Sequence, residues 1–444
     1  MNTMTAHRHP LALGLMLALG ISVGVTAPTV TQAVPPPVVN CDDIGAGSLR
    51  AALSSPNTVS GDTIDLTQLT CSLITLNVDE LTVSQHDLTI VGPGADQLAI
   101  SGNHAHRVLD HAGAGTLSLS GIALEDGSSR GFGGCLSSPG SVALIDAVVS
   151  GCVAVGATPS DGVYGGGVYT GNDLSLTRSA LTGNTAYARS AAGGGAFVQG
   201  GFSSKYSTIS DNIALAIDPV TTPAEGGGVK TRVGQLIVTA STFSANAADI
   251  GGALMARDGT SVAIQNSTFS ENAANRAGSA IYMGGNGNVL SLFDSTVVSN
   301  GSVRGYAVDL NSSSVVTMRG TLMAGNEMLD DGHGSPQASD IGGNGTISGD
   351  HNLIAFSSLP LPMDTISECP RLGPLADNGG HSQTHALLHD TLNPAIDSGA
   401  DGVLATDQRE LARPFGAHAD IGAFEWSGET DDRILASAFE PVCD

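Results

Sequence analysis

The sequence predicts an all-β fold in which the chain winds as a right-handed parallel β-helix. Three observations carry this. A unit returns every ~24–34 residues, a period that belongs to supersecondary repeats stacked on copies of themselves. Each unit opens with alternating apolar residues, as at Leu174 and Leu176 or Leu236 and Val238, the period-two mark of a strand with one buried face. Each also carries glycines at one point, and the 444 residues include 59 glycines but only 4% aromatics, so the core is built in thin layers of small and branched side chains.

The elements follow in order. Residues 1–33 read as a signal peptide: Arg8, then an apolar run from Leu11 to Val25, then Thr31-Gln32-Ala33 as a small-residue cleavage site. The run is shorter than the ~18 residues of a membrane span, and no other run reaches that length. The mature chain is therefore expected to be exported, with no transmembrane segment. Residues 34–40 form a Pro-rich linker around Pro35-Pro36-Pro37. Residues 41–116 hold an N-terminal cap and early rungs, with Leu49 to Leu53 as a short helix and Ser48 as its N-cap.

Residues 117–354 are the regular rungs, marked by two landmarks. One is a glycine pair before a small or branched residue: Gly133-Gly134, Gly166-Gly167, Gly194-Gly195, Gly227-Gly228 and Gly251-Gly252. The other is an Asn series, Asn184, Asn212, Asn246, Asn272, Asn300 and Asn326, with Cys152 standing where its first member would be. An amide in a bend can bond the backbone and its equivalents above and below, so these residues are expected to form a stacked ladder. A rung of three short strands and three bends fits the period. Residues 355–426, interrupted by Pro360, Pro362, Pro370 and Pro374, read as a C-terminal cap, and 427–444 as a polar tail.

Six cysteines in an exported chain suggest disulfides. Neighbours in sequence are the expected pairs among several connectivities: Cys41–Cys71, Cys135–Cys152 and Cys369–Cys443. The formal charge of −25 disfavours nucleic acid and anionic lipid as partners.

The search for chemistry gives little that converges. Asp330-Asp331-Gly332-His333-Gly334 is a weak catalytic alternative, because carboxylates acting as acid and base must flank a bond rather than adjoin in one loop. Lys205 and Lys230, the only lysines, lie on loop-side segments with no evident acidic cluster beside them. His104, His106 and His111 read as satisfied or exposed histidines in a bend. His381, His385 and His389 would align only on a helix. No metal site is expected. Ca²⁺ held by Asp and Asn in bends is the one cofactor alternative.

The glycine and Asn landmarks, with Phe243 to Asn246 and Phe269 to Asn272, resemble the GGA[ILV] and FxxN repeats of bacterial polymorphic outer-membrane proteins. Asp377-Asn378-Gly379-Gly380, Asn393 to Asp397, Asp407-Gln408-Arg409, Arg413-Pro414 and Asp420 to Glu425 resemble the C-terminal region of choice-of-anchor β-helix proteins. The resemblance implies a pectate lyase-like solenoid, exported to the medium or the outer surface of a Gram-negative bacterium. It supplies no catalytic residues. No alternating strands of about ten residues follow the repeats as a membrane barrel would need. Arg433 to Glu440 is similar to a terminal sorting tail, with Ala438 where Gly is usual.

The sequence therefore predicts a monomeric, non-catalytic surface or secreted β-helix. It would bind a surface protein or polysaccharide through its long side, as an adhesin does. The alternative is a polysaccharide lyase or glycoside hydrolase of the pectate lyase-like superfamily.

Overall fold

Three parallel sheets run from Asp62 to Ile354 and share one apolar interior. The computed structural model describes residues 34–444 except 157, 159–160, 312, 329–335, 389–392, 429–442 and 444. The first face has 11 strands, from Asp62–Asp65 to Thr346–Asp350, and the second has 11, from Leu73–Thr75 to Leu353–Ile354. The third has 10, from Leu81–Val83 to Ile341–Gly343. Successive strands on a face come from successive turns of the chain, in register. Leu236 pairs with Val262, Val262 with Leu290, and Leu290 with Val316. Period two sends these inward, and all four are buried. Rungs of this kind place like over like, so Phe243 stacks on Phe269 with ring centroids 4.8 Å apart.

The corners have a chemical rule. Between first and second faces each rung passes one residue in the left-handed region, among them Arg178, Tyr206, Ala240 and Asn266. In five successive rungs the next residue is a serine whose Oγ accepts the equivalent backbone N–H of the rung before: Ala147 N from Ser179, then Ser179 N from Ser207, Ser207 N from Ser241, Ser241 N from Ser267, and Ser267 N from Ser295. After the second face another left-handed residue, such as Gly183, Ala245 or Glu271, precedes each Asn of the series.

The rung differs from the expected three strands. Among the described residues a fourth, nine-stranded ladder runs beside the third face, built from the segments between each Asn and the following glycines, such as Thr185–Ala188 and Ala247–Ile250. In several turns the chain leaves along this ladder and returns beside it, as at Gly162–Tyr164 and Ser190–Ala192. The two layers enclose a small core of Ala154, Val163, Ala186, Ala188, Ala191, Ala214, Ala224 and Ala248. Near-uniform alanine lets two backbone layers meet at short distance, forming a fin on the coil. Glycine is required where the fin rejoins: a Cβ on Gly227 would lie 2.3 Å from the Gly252 carbonyl oxygen.

At the N-terminal side Leu49–Leu53 forms one helical turn, with Ser48 Oγ accepting the Ala51 N–H, and buries Leu49, Ala52 and Leu53 in the main core. At the other side Ser357 and Ile366 bridge to the last rung at Ile341 and Leu353. Residues 372–388 and 393–426 then turn back along the outside of the second face. Leu372–Ala376 pairs antiparallel with Thr384–Leu387, and Leu372, Leu387, Ile421 and Phe424 pack on Val298, Leu322 and Leu353. The three disulfides join Cys41 to Cys71, Cys135 to Cys152 and Cys369 to Cys443.

Candidate functional site

The outward column of the third face concentrates chemistry that the rest of the coil lacks. Its strands read buried, variable, buried, and the middle residue faces away from the main core, although Phe197 and Met255 are themselves covered by neighbours. Register aligns Ser137, Tyr169, Phe197, Lys230, Met255, Tyr282 and Asp309 across seven rungs. Phe132 and Tyr164, from the fin's return, join this column. Ring centroids lie 4.8 Å apart for Phe132 and Tyr169, 6.0 Å for Tyr169 and Phe197, and 4.7 Å for Tyr164 and Phe197. The stack is most open at Phe132, 41% exposed, while Tyr164 and Tyr169 are half-buried and Phe197 is buried. Aromatic rings give apolar surface with a slightly positive rim.

Beyond Phe197 the column turns charged. Lys230 Nζ lies 5.6 Å from the Phe197 centroid and pairs with Glu225, which stands at the edge of the fin. Arg257 holds the other oxygen of the same carboxylate at 3.0 Å. Arg232 donates to the Gln199 amide oxygen at 3.3 Å, and Gln199 donates to Tyr169 Oη at 3.2 Å. Gln199, Lys230, Arg232 and Arg257, together with Tyr164, Phe197 and Asp258, line a cleft of about 410 Å³. Two to three rungs on, burial raises the Asp309 carboxyl to about 6 against the pull of the Tyr306 N–H. Burial, with Asp309 nearby, raises the Tyr282 phenol.

The lysines thus differ from the sequence reading. Both lie on strands, Phe202–Lys205 and Val229–Thr231, and Lys230 does have a carboxylate beside it. Glu225 comes only five residues earlier in the chain.

The first face carries a larger groove of about 570 Å³, lined by Ser141, Ser175, Ser203, Ala143 and Ile237 with Asp173 its one carboxylate. That carboxylate accepts the Gly201 N–H at 2.7 Å. Small, mostly neutral side chains leave this groove with little to grip a ligand.

Asp330, Asp331 and His333 lie outside the described residues, as do the signal segment 1–33, most of the tail and His389. His111 is buried between Ser138 Oγ at 2.7 Å and the Gln85 carbonyl, whereas His104 is exposed beside Asp126. His385 sits on a strand and bonds Ser270 Oγ and the Gly373 carbonyl, and His381 faces Tyr206 instead. Among the described residues no group of three His, Cys, Asp or Glu is placed to hold a metal ion.

The six asparagines are buried and joined in series. Each Nδ2 donates to the Oδ1 of the next, at 2.8–2.9 Å from Asn184 to Asn326, and to a backbone carbonyl of a preceding coil. The first Oδ1 accepts the Cys152 N–H, and the last Nδ2 donates to Asp340. These groups are spent on the fold.

The aromatic–basic column was missed for a counting reason. Its members stand four residues after the left-handed glycine of each triplet: Gly165 and Tyr169, Gly193 and Phe197, Gly226 and Lys230, Gly251 and Met255, Gly278 and Tyr282, Gly305 and Asp309. In three rungs the landmark pair was taken one residue late, which hid the alignment. Comparison with protein-family models, with curated proteins and with solved structures gives no match. The resemblances noted above rest on their motif residues alone.

Proposed function

We propose that this chain is a secreted or cell-surface β-helix without catalytic activity, which binds a surface protein or polysaccharide through its third face. The signal-like segment and the polymorphic-protein repeats support display outside the cell. The observation that carries the binding face is the column from Phe132 to Arg257. It gathers four of the chain's few aromatics and one of its two lysines, with two arginines, on one side of a fin that walls it. The protein would act as an adhesin, holding a partner along several rungs.

The test is binding to immobilised glycans and to cell surfaces, comparing a Phe132→Ser/Tyr169→Ser variant with a first-face control, Ser175→Ala/Ile237→Ser. Loss confined to the third-face variant is expected. Equal binding by both would move the interaction off this face. Sequencing the exported protein should give Val34 as its first residue.

One observation favours a second reading, a lyase or hydrolase: Asp309, raised to about 6, shares the column with Lys230 and Tyr282. Release of reducing ends or unsaturated uronate, abolished by Asp309→Asn, would establish it.

A further inference from the structure

We infer that the cleft between Phe197 and Arg257 is a subsite for an acidic sugar residue, one carrying a carboxylate or sulfate on a pyranose ring. The inference deepens the third-face reading and rests on it.

The charge in the cleft runs against the charge of the chain. Lys230, Arg232 and Arg257 line it with one carboxylate, Asp258, in a protein of formal charge −25, and Glu225 pairs with Lys230 and Arg257 from outside the lining. Glu225 is shared by two of the cations, so it fixes their positions while only partly neutralising them. Among the described residues, Arg232 ends on the Gln199 amide rather than on a carboxylate. A guanidinium fork of this kind matches the two oxygens of a carboxylate or sulfate. The long-range repulsion from the acidic surface is cut within about 8 Å at physiological salt, so contacts inside the cleft decide the outcome.

The other walls select a sugar over an acidic peptide. A carboxylate side chain needs donors alone and offers nothing to the acceptors Asp258 and Gln199 Oε1. A polyhydroxylated ring uses both kinds of group. Its hydroxyls donate to Asp258 and Gln199 Oε1, while its acid meets Arg232 and Arg257. Tyr164 and Phe197 supply apolar surface for its C–H face. The volume of about 410 Å³ lies within the range of small-ligand sites. Further residues of the same glycan would run along the column over Tyr169 and Phe132.

The experiment is calorimetric titration of the full mature chain with four probes: an oligogalacturonate, its carboxyl-reduced counterpart, a sulfated galactan oligosaccharide and oligoglutamate. Arg232→Gln/Arg257→Gln is the test variant. Both residues are exposed, and its melting curve checks that it folds. Wild type should prefer at least one acidic saccharide over the reduced one by about tenfold, and the variant should lose that preference. The uronate and sulfate arms distinguish the two sources of the anion. Equal binding of acidic and reduced saccharides, or a preference that survives in the variant, overturns the subsite. Tighter binding of oligoglutamate overturns it in favour of a peptide. Saccharide binding abolished by Phe132→Ser/Tyr169→Ser but indifferent to charge would sink the subsite and leave the third-face reading standing. Binding untouched by either variant would sink both.

Discussion

The carboxylate of Asp340 accepts the Asn326 side-chain amide at 2.7 Å and so terminates the amide ladder. Its second oxygen takes the Phe356 N–H at 2.7 Å, tying the ladder to the chain that leaves the last rung. A run of amides donates in one direction, and its last donor needs an acceptor with no amide of its own to place.

The middle of that ladder gives the first prediction. Asn246 makes two donor contacts, to Ile209 O and Asn272 Oδ1, and its own Oδ1 accepts both Asn212 N and Nδ2. Asn246→Leu should cost roughly 1–3 kcal/mol by leaving buried polar groups unpaired. Urea titration reads the shift, and an unchanged midpoint would mean that the ladder contributes nothing.

The left-handed corners give a prediction of opposite sign. Ala245 has φ of 54°, where Gly183 and Gly325 stand in equivalent corners. Ala245→Gly removes a strain of about 1–2 kcal/mol and adds about 0.5–1 kcal/mol of backbone entropy cost, so a net gain of a few tenths or more is expected. Thermal denaturation against a control at Ala263→Gly, inside a strand, separates the two effects, since the control should lose stability.

The pH dependence follows from buried carboxyls. Burial raises Asp294 and Asp420 to about 7 and Asp340 to about 6, above an ordinary value of 3.8. The folded state therefore binds these protons more tightly than the unfolded chain. Their stabilisation is complete below the ordinary value and is lost as pH rises through 6 to 7. Exposed carboxylates held low by partners, such as Asp146 beside Arg178 and Asp401 beside His418, act in reverse and lose their contribution in stronger acid. The denaturant midpoint should fall from about pH 5 to about pH 8, and Asp294→Asn/Asp420→Asn should flatten that slope. A wild-type slope that rises over this range would contradict the assignment.

The returning C-terminal segment gives the fourth. Arg413 lies buried 3.7 Å from Asp294 on the coil and 3.6 Å from Glu425 on the segment, and it donates to the Gly422 carbonyl. Gln408 adds bonds to Thr242, Thr268 and Ser382. Arg413→Ala strands two buried carboxyls, a change worth about 3–5 kcal/mol when they are ionised. Hydrogen exchange should quicken across 372–426 and leave the rungs protected, with the larger effect at the higher pH. Uniform loss of protection along the whole chain would show the segment and the coil to be one cooperative unit.

How much of this was legible depends on how local the cause is. Inward residues such as Leu236 and Val262 announce themselves through period two, and the disulfide partners through order along the chain. The Asn series was visible because one residue type recurs. The serine ladder from Ser179 to Ser295 was equally periodic, yet serine is common enough in turns to pass unmarked. Asp340 was illegible: it completes the ladder from a different strand context, after a gap of 14 residues, and nothing near it repeats. The Arg413–Asp294 contact joins positions on elements that only tertiary folding brings together. The binding column was present in the sequence but needed the left-handed glycine as its ruler.

The back-folded segment also sets how this molecule can change its number of coils over evolution. Its anchors fall on consecutive rungs: Tyr206 to Glu410, Thr242 and Thr268 to Gln408, Thr296 to Ala423 and Gly320 to Gly422. A duplicated coil inserted before Tyr206 would leave that spacing intact. The same duplication between Thr242 and Gly320 would carry each anchor one storey away from its mate. Gains and losses of repeats should therefore accumulate in the earlier half, while the later half keeps a fixed number.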